Sequence, residues 1–363
     1  MVRGDGQVST STPWPLAPYE KIADSLAGWL GDDEAAYRAA SRVEWSATEK
    51  IHGACFSLVT DGVTFRAAKR KAFLDEGEDF FGHRELVERL APRVIDLFAR
   101  LRARDASIAL AYVYGELFGG GYPHPDVPPV PAVQPVQTGC WYAPGIELCA
   151  FDLGVVRAGQ PERAYVDLDE ATRLFQESGL LSAKPLLRGR YEDVAALPLG
   201  FETTIPAALG LPSLGPSNRA EGVVLKPTRA LTVPRRPGSI RPVVKRKIPE
   251  FSEDKRFQGA EKWAAAPARG SAVSALALLQ HEASMLVNEN RLRAAISKVG
   301  RVTPGDTARL AEVRALVIDD LHTELRAHHG GHLRALAPVE AEALERFVEG
   351  EAQALVDLHL DAT

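Results

Sequence analysis

Cysteine is scarce in this chain: there are three in 363 residues, Cys55, Cys140 and Cys149, with no Cys-x-x-Cys pair. An odd, scattered set supports no disulfide framework and points to a reducing compartment. No apolar run reaches 18 residues, and the polar stretch Met1 to Pro18 lacks the hydrophobic region of a signal peptide. The expectation is therefore a cytoplasmic protein without a membrane partner. A basic excess is missing too. The net charge is −5, so any attraction for a polyanion has to come from local basic runs. What is present is ordinary for a globular protein: 45% hydrophobic and 25% charged residues. At this length two domains are expected.

The chain divides by composition. Residues 1–18, rich in Pro, Ser and Thr, read as a disordered leader. Tyr19 to Leu30 and Asp32 to Ser41 read as short helices, with Lys21 on a helix surface. From Glu44 the period becomes strand-like. Cys55 to Thr60 and Val63 to Arg70 flank Asp61-Gly62, which predicts a hairpin with a type I′ turn. His83 to Arg104 has helical spacing with Pro92 as an expected kink, and Ile108 to Leu117 reads as a strand. Residues 123–135 carry a proline-rich loop. Ile146 to Val156, Ala220 to Leu225 and Arg241 to Lys247 read as further strands. Beyond a boundary near 254, four helices are expected: Ser271–Asn288, Glu289–Val299, Pro304–His328 and Pro338–Leu360. The domains are thus 19–254, mixed, and 255–363, helical.

Five stretches of the first domain carry chemistry. Lys50 lies in Glu49-Lys50-Ile51-His52-Gly53, where an amine nucleophile would sit beside a glycine that permits close ligand approach. Arg70 ends a basic strand. Glu116, Asp152 and Glu221 are carboxylates near strand ends, suited to a ribose hydroxyl or a divalent ion. Phe151 offers a stacking face and Val224 an aliphatic wall. Lys245 and Lys247, two residues apart in a strand, point to one face and can hold one phosphate chain. Each of these residues also has a plain reading as a solvated side chain; it is their combination that makes chemical sense.

The ordered set Lys-x-x-Gly, Gly115-Glu116, Phe151-Asp152, Glu221-Gly222-Val223-Val224-Leu225-Lys226-Pro227 and Lys245-Arg246-Lys247 resembles the covalent nucleotidyltransferase superfamily of ATP-dependent ligases and capping enzymes. His52, with Phe56-Ser57-Leu58 downstream, resembles the RNA ligase 2 family, which includes the RNA-editing ligases. The segments 288–293 and 296–300 are similar to that family's helical C-terminal domain. The resemblance implies an α+β fold: an ATP-grasp-like ligase domain of antiparallel sheets with helices, followed by an all-α C-terminal domain. It implies an ATP-dependent RNA ligase that joins 3′-OH and 5′-phosphate RNA ends, sealing nicks in duplex RNA. Lys50 would take AMP from ATP with Mg2+ or Mn2+, and AMP would pass to the RNA 5′-phosphate. Glu49, Ile51, Arg70, Glu116, Phe151, Val224, Lys226, Lys245 and Lys247 would bind the nucleotide. Glu221 would serve the metal or the ribose, and His52 and Asp152 the later steps. Arg291, Arg293 and Lys298 would contact RNA. Cys55 departs from the family, which commonly has Asn there.

Two other functions fit the same motifs: a capping-type guanylyltransferase, which would label with GTP and carry an all-β second domain, and a non-catalytic RNA-binding module. Other features are read plainly. Gly119-Gly120-Gly121 does not open a helix, so it is not read as a phosphate cradle. His328, His329 and His332 read as a solvated Gly-Gly loop. Arg235, Arg236 and Arg241 are placed either along an RNA path or on a solvated face.

Overall fold

The computed structural model describes residues 14–20, 22–131, 133, 135–137, 139–233, 239–248, 251 and 275–361. Two antiparallel sheets carry the first domain. The smaller contains β1 (Trp45–Lys50), β8 (Pro185–Gly189), β9 (Gly222–Pro227) and β12 (Val244–Lys247), in the order β12-β9-β1-β8. The larger contains β2 (Ala54–Thr60), β3 (Phe65–Lys69), β4 (Ala72–Phe73), β5 (Ile108–Gly121), β6 (Ala143–Arg157) and β7 (Gln160–Tyr165), in the order β4-β3-β2-β5-β6-β7. A short ladder pairs β10 (Leu231–Thr232) with β11 (Ser239–Ile240).

Period-two alternation gives each sheet its two faces. In β1, Trp45 and Ala47 bury against α1 (Leu26–Leu30) and α2 (Glu34–Ala40). Lys50 ends the strand on the opposite alternation. The larger sheet buries Phe56, Leu58, Val113 and Leu153 with α3 (His83–Arg104), whose Leu86, Leu90, Val94 and Leu97 recur at helical spacing. The helix runs on through Pro92.

α4 (Leu168–Glu177), α5 (Tyr191–Ala195) and α6 (Ile205–Ala208) fill the connections around β8. The C-terminal part is helical, as expected: α7 (Ala275–Leu286), α8 (Glu289–Val299), α9 (Thr307–Ala335) and α10 (Pro338–Asp361). Leu292, Ala295 and Val299 of α8 join the same core as Phe56 and Phe80. The Arg309 side chain donates to the Asp79 carbonyl at 2.9 Å.

Three expectations change. Tyr19 to Leu30 is helical only over Leu26–Leu30, with Ser25 capping through the Gly28 amide at 2.9 Å. Ahead of it the chain is an extended strap that starts inside the expected leader. Tyr112 and Tyr114 donate their hydroxyls to the Pro15 and Ala17 carbonyls at 2.7 and 2.6 Å. These tertiary hydrogen bonds satisfy carbonyls that a helix would have used itself. Lys21 lies outside the described residues.

The turn at Asp61-Gly62 is a four-residue loop, because the last pair of the hairpin is Thr60 with Phe65. The Asp61 carboxylate accepts from the Val63 and Thr64 amides at 2.9 and 2.8 Å, an Asx arrangement that replaces the type I′ turn. His328, His329 and His332 lie within α9, kinked at His329, rather than in a loop. Burial of Val313, Val317, Leu321 and Leu325 carries the helix forward past the glycines' low propensity.

Candidate functional site

The residue after β1 decides the site's shape. The chain leaves the small sheet at Lys50 and enters the large sheet at Ala54 through Ile51-His52-Gly53. A Cβ on Gly53 would sit 2.1 Å from the Leu117 carbonyl oxygen, so only glycine lets this crossover lie against β5. Lys50 is thereby placed on the wall of a cavity of about 280 Å³ lined by residues of both sheets.

Strand register builds the cation row. Gly222 of β9 pairs with Lys50 on one side and with Lys247 on the other. Lys245 stands two residues back, opposite Val224. The i, i+2 reading of the lysines therefore holds. Between Lys50 and Lys247, Gly222 has φ +152°, and a Cβ there would meet the Arg246 carbonyl at 2.0 Å. Glu221 links the row: Lys50 Nζ lies 2.8 Å from its Oε2, Lys247 Nζ 3.0 Å from its Oε1, and His52 Nδ1 3.5 Å from Oε2. Burial alone would raise the Glu221 carboxyl, but Lys50, His52 and Lys247 hold it well below the usual carboxylate range.

The second carboxylate behaves differently. Glu116 of β5 stands beside Cys55 of β2 in the ladder and makes no ion pair among the described residues. Burial pushes its carboxyl up to about 7, with Lys50 and Arg70 pulling down and Glu221 pushing up. The ionised form is the one that accepts a ligand hydroxyl, so binding of a hydroxyl-bearing ligand in this cavity is expected to strengthen between pH 6 and 8 in the parent, and Glu116→Gln to lose that inflection when affinity is measured against pH. Stability runs the opposite way. A folded-state carboxyl that titrates above its ordinary 4.5 favours the fold below that value, and the contribution is lost as pH rises to about 7.

Phe151 and Val224 supply the apolar walls. Phe151 owes its position to a β-bulge. Tyr114 pairs with Asp152 and Gly115 with Ala150, which leaves Phe151 as the extra residue of β6. Arg70, Lys226, Ile51, Cys55 and His52 also line the cavity. The Cys55 thiol is pushed up to about 12 by burial and stays uncharged. His52 is fixed through its backbone amide, which donates to the Tyr142 hydroxyl at 2.9 Å, and its ring lies 5.0 Å from Phe251.

Several expected residues are placed elsewhere or engaged otherwise. Asp152 lies behind the cavity wall, fully buried. It takes a hydrogen bond from Tyr19 at 2.8 Å, an ion pair with Arg241 at 2.8 Å and a second with Lys226 at 3.4 Å. Its carboxylate is taken up by these three partners, and it is not among the residues that line the cavity. Arg241 is 4% exposed and so does not lie on a solvated face. Glu49 touches the cavity, but its carboxylate is committed to Thr203 and to the Thr204 amide and hydroxyl at 2.7 and 2.6 Å.

Arg291 is taken up by protein partners. It is 2% exposed and donates to the Leu286 carbonyl at 3.0 Å, to Asp320, and to Glu324 at 2.5 Å. Arg293 and Lys298 instead line the same cavity as Lys50, together with Asn290 and Ser297. Arg235 and Arg236 lie outside the described residues. Sequence reasoning missed Tyr19, Ile22 and Gln137 on the cavity wall. None stands in a motif.

Residues 43–247 match the RNA ligase family model. The chain belongs to the RNA ligase family. Residues 273–354 of this RNA ligase family member match the T4 RNA ligase 2 C-terminal model. RNA-editing ligase 2, mitochondrial, of Trypanosoma brucei brucei is 34% identical over 206 residues, 51% of this chain and 49% of that protein. RNA-editing ligase 1, mitochondrial, from the same organism is 30% identical over 212 residues, 51% and 45% of the two chains. The chain spans about half the length of the curated relatives it matches. Among solved structures, an archaeal ATP-dependent RNA ligase covers 95% of this chain and 65% of its own at 15% identity, with a TM-score of 0.39. Naegleria gruberi RNA ligase with PPi covers 63% and 56% at 12% identity, with a TM-score of 0.37.

Proposed function

We propose that this chain is an ATP-dependent RNA ligase that joins 3′-OH and 5′-phosphate ends, with nicks in duplex RNA as its substrate. The observation that carries the reading is the row Lys50–Glu221–Lys247 facing a cavity walled by Phe151 and Val224. In the proposed reaction the adenine of ATP stacks on Phe151. Lys50 Nζ attacks the α-phosphorus, a P–N bond forms, and the bond to pyrophosphate breaks. Lys245 and Lys247 balance the charge that develops on the phosphates. Glu221 Oε2, 2.8 Å away, aims the amine. AMP then passes to an RNA 5′-phosphate, and the 3′-OH displaces it.

A divalent ion fits this site only in part as a protein-held metal. Among the described residues no group of three or more His, Cys, Asp or Glu is disposed to hold one. Glu221 is nevertheless kept as an oxygen anion beside the expected phosphates, which suits Mg2+ or Mn2+ brought in with the nucleotide. The ion would supply charge neutralisation on the phosphates. The helices from 275 to 361 stand where a guanylyltransferase reading would expect an all-β domain.

The test is an adduct assay with labelled ATP or GTP, followed by sealing of matched nicked and single-stranded substrates with RNA or DNA on either side of the break. ATP labelling with sealing of nicked RNA supports the reading. GTP labelling alone, or RNA binding with no adduct, overturns it. Lys247→Ala is expected to lower adduct yield by more than tenfold while leaving RNA affinity within about twofold, since it removes one charge from the nucleotide side. Gel-shift titration beside the labelling assay measures both.

A further inference from the structure

A second cavity, of about 620 Å³, lies at the opposite end of the small sheet from Lys50. α2 and the residues after it form one wall, and residues 229–232, just past β9, form the other. Val43, on the first wall, precedes β1, whereas Lys50 ends that strand. The length of β1, about 17 Å from Trp45 to Lys50, therefore separates the two cavities. Among the described residues they share no lining side chain. A ligand held here is held apart from whatever binds beside Lys50.

Its charge is of one sign. Arg38, Arg42 and Arg229, all exposed, line it, and no carboxylate does among the described residues. That concentration stands out in a chain whose net charge is −5. Arg38 pairs with Glu34 at 3.0 Å, but both side chains are largely in water, so the pair is weak and can yield to a stronger anion. The side chains of Arg42 and Arg229 have no ion pair or hydrogen bond among the described residues. Cations near a helix C-terminus ordinarily cap its last carbonyls. Here other donors hold all four. Ser41 donates its amide to Tyr37 at 2.9 Å and its hydroxyl to Arg38 at 3.0 Å. The Arg42 backbone amide reaches the Ala39 carbonyl at 3.2 Å, and the Trp45 indole reaches Ala40 at 2.9 Å. The guanidiniums are thus left for another acceptor. Val43 and Leu231 back the cavity with apolar surface, along which arginine stems can lie while their heads stay in water.

We propose that this cavity is a second phosphate site, distinct from the nucleotide cavity, in which Arg38, Arg42 and Arg229 hold successive phosphates of one chain. A guanidinium fork matches two phosphate oxygens. Three forks from two walls suit a ligand with several linked phosphates better than a lone carboxylate. The phosphodiester backbone of an RNA strand and a free polyphosphate share that chemistry. The site needs nothing from Lys50, so it goes beyond the reading of the first cavity.

The experiment compares the parent with the double variant Arg42→Gln/Arg229→Gln in two arms. One is gel-shift titration of a nicked RNA duplex at several salt concentrations. The other is calorimetry with tripolyphosphate, with Lys247→Ala as a further sample. If the ligand is an RNA strand, the double variant should bind the duplex roughly tenfold more weakly at low salt. The slope of log affinity against log salt should then fall by about 1.5, as loss of two phosphate contacts requires. If the ligand is a free polyphosphate, the double variant should lose a binding event that Lys247→Ala keeps. Either result supports the site and names its source. Arg102→Gln/Arg346→Gln, at exposed positions of α3 and α10, removes the same charge elsewhere. An equal fall in RNA affinity in that control with no difference in the tripolyphosphate arm, or no change in either arm, overturns the proposal. Should the double variant fail to fold, Arg42→Gln and Arg229→Gln alone should each show about half the change in slope or a weakened tripolyphosphate event, and silence in both overturns it. Neither readout passes through Lys50, so a failure of the nucleotide-site reading would not imitate a failure here.

Discussion

Lys50→Ala is expected to abolish ATP-dependent labelling of the chain, to below one thousandth of the parent signal. The geometry makes the effect large. Lys50 is the amine on the wall of the cavity, aimed by Glu221 at 2.8 Å, and a methyl side chain has no nucleophile to offer. Lys247 is the nearest substitute in the row. It is paired to Glu221 through the other oxygen, on a strand two positions across the sheet. The fold should survive the change. Glu221 keeps Lys247 and His52, so its buried charge remains compensated. Circular dichroism should match the parent, and sealing of a pre-adenylated RNA end should persist, because that step no longer needs the amine. An adduct in Lys50→Ala would move the nucleophile elsewhere and undo the assignment of the site.

Asp152→Ala is expected to cost about 3–5 kcal/mol, the penalty for leaving buried cations without their counter-ion. Lys226 is 1% and Arg241 4% exposed, and both rely on this carboxylate. Among the described residues the Arg241 Nε and Nη2 atoms have no hydrogen-bond partner, which raises the share carried by Asp152. The loss should appear as a fall in Tm of roughly 10 °C at neutral pH. Burial would raise the Asp152 carboxyl, but Arg241 and Lys226 hold it below 3.8. Its stabilisation is therefore present above that value and is lost as pH falls through the lower folded-state pKa. The difference between variant and parent should close on the acid side. A variant with parental Tm would mean that the network is solvated and that Asp152 is free for another role.

What could be read from the sequence was local. The i, i+2 lysines of β12, the glycine after Lys50 and the bounds of Glu289–Val299 follow from period and spacing, which short stretches of chain carry in full. The misses share another cause. Arg291 looks like a surface cation on a helix until Asp320 and Glu324, 29 and 33 residues on, close over it. Glu49 looks like a ligand group until Thr203 and Thr204 arrive from the far side of β8. Tyr19 looks helical until a cluster of tyrosines accepts it. In each case the deciding partner is remote, and no window of residues contains both.

The bulge at Phe151 has a mechanical meaning. An ordinary strand sends neighbouring side chains to opposite faces and shares any load along its ladder. Here the extra residue is freed from the ladder, while its carbonyl is gripped by Lys226 and its neighbour Asp152 is bolted to Tyr19. The ring and the interior network therefore meet at the backbone between residues 151 and 152, held from one side by Lys226 and from the other by Tyr19.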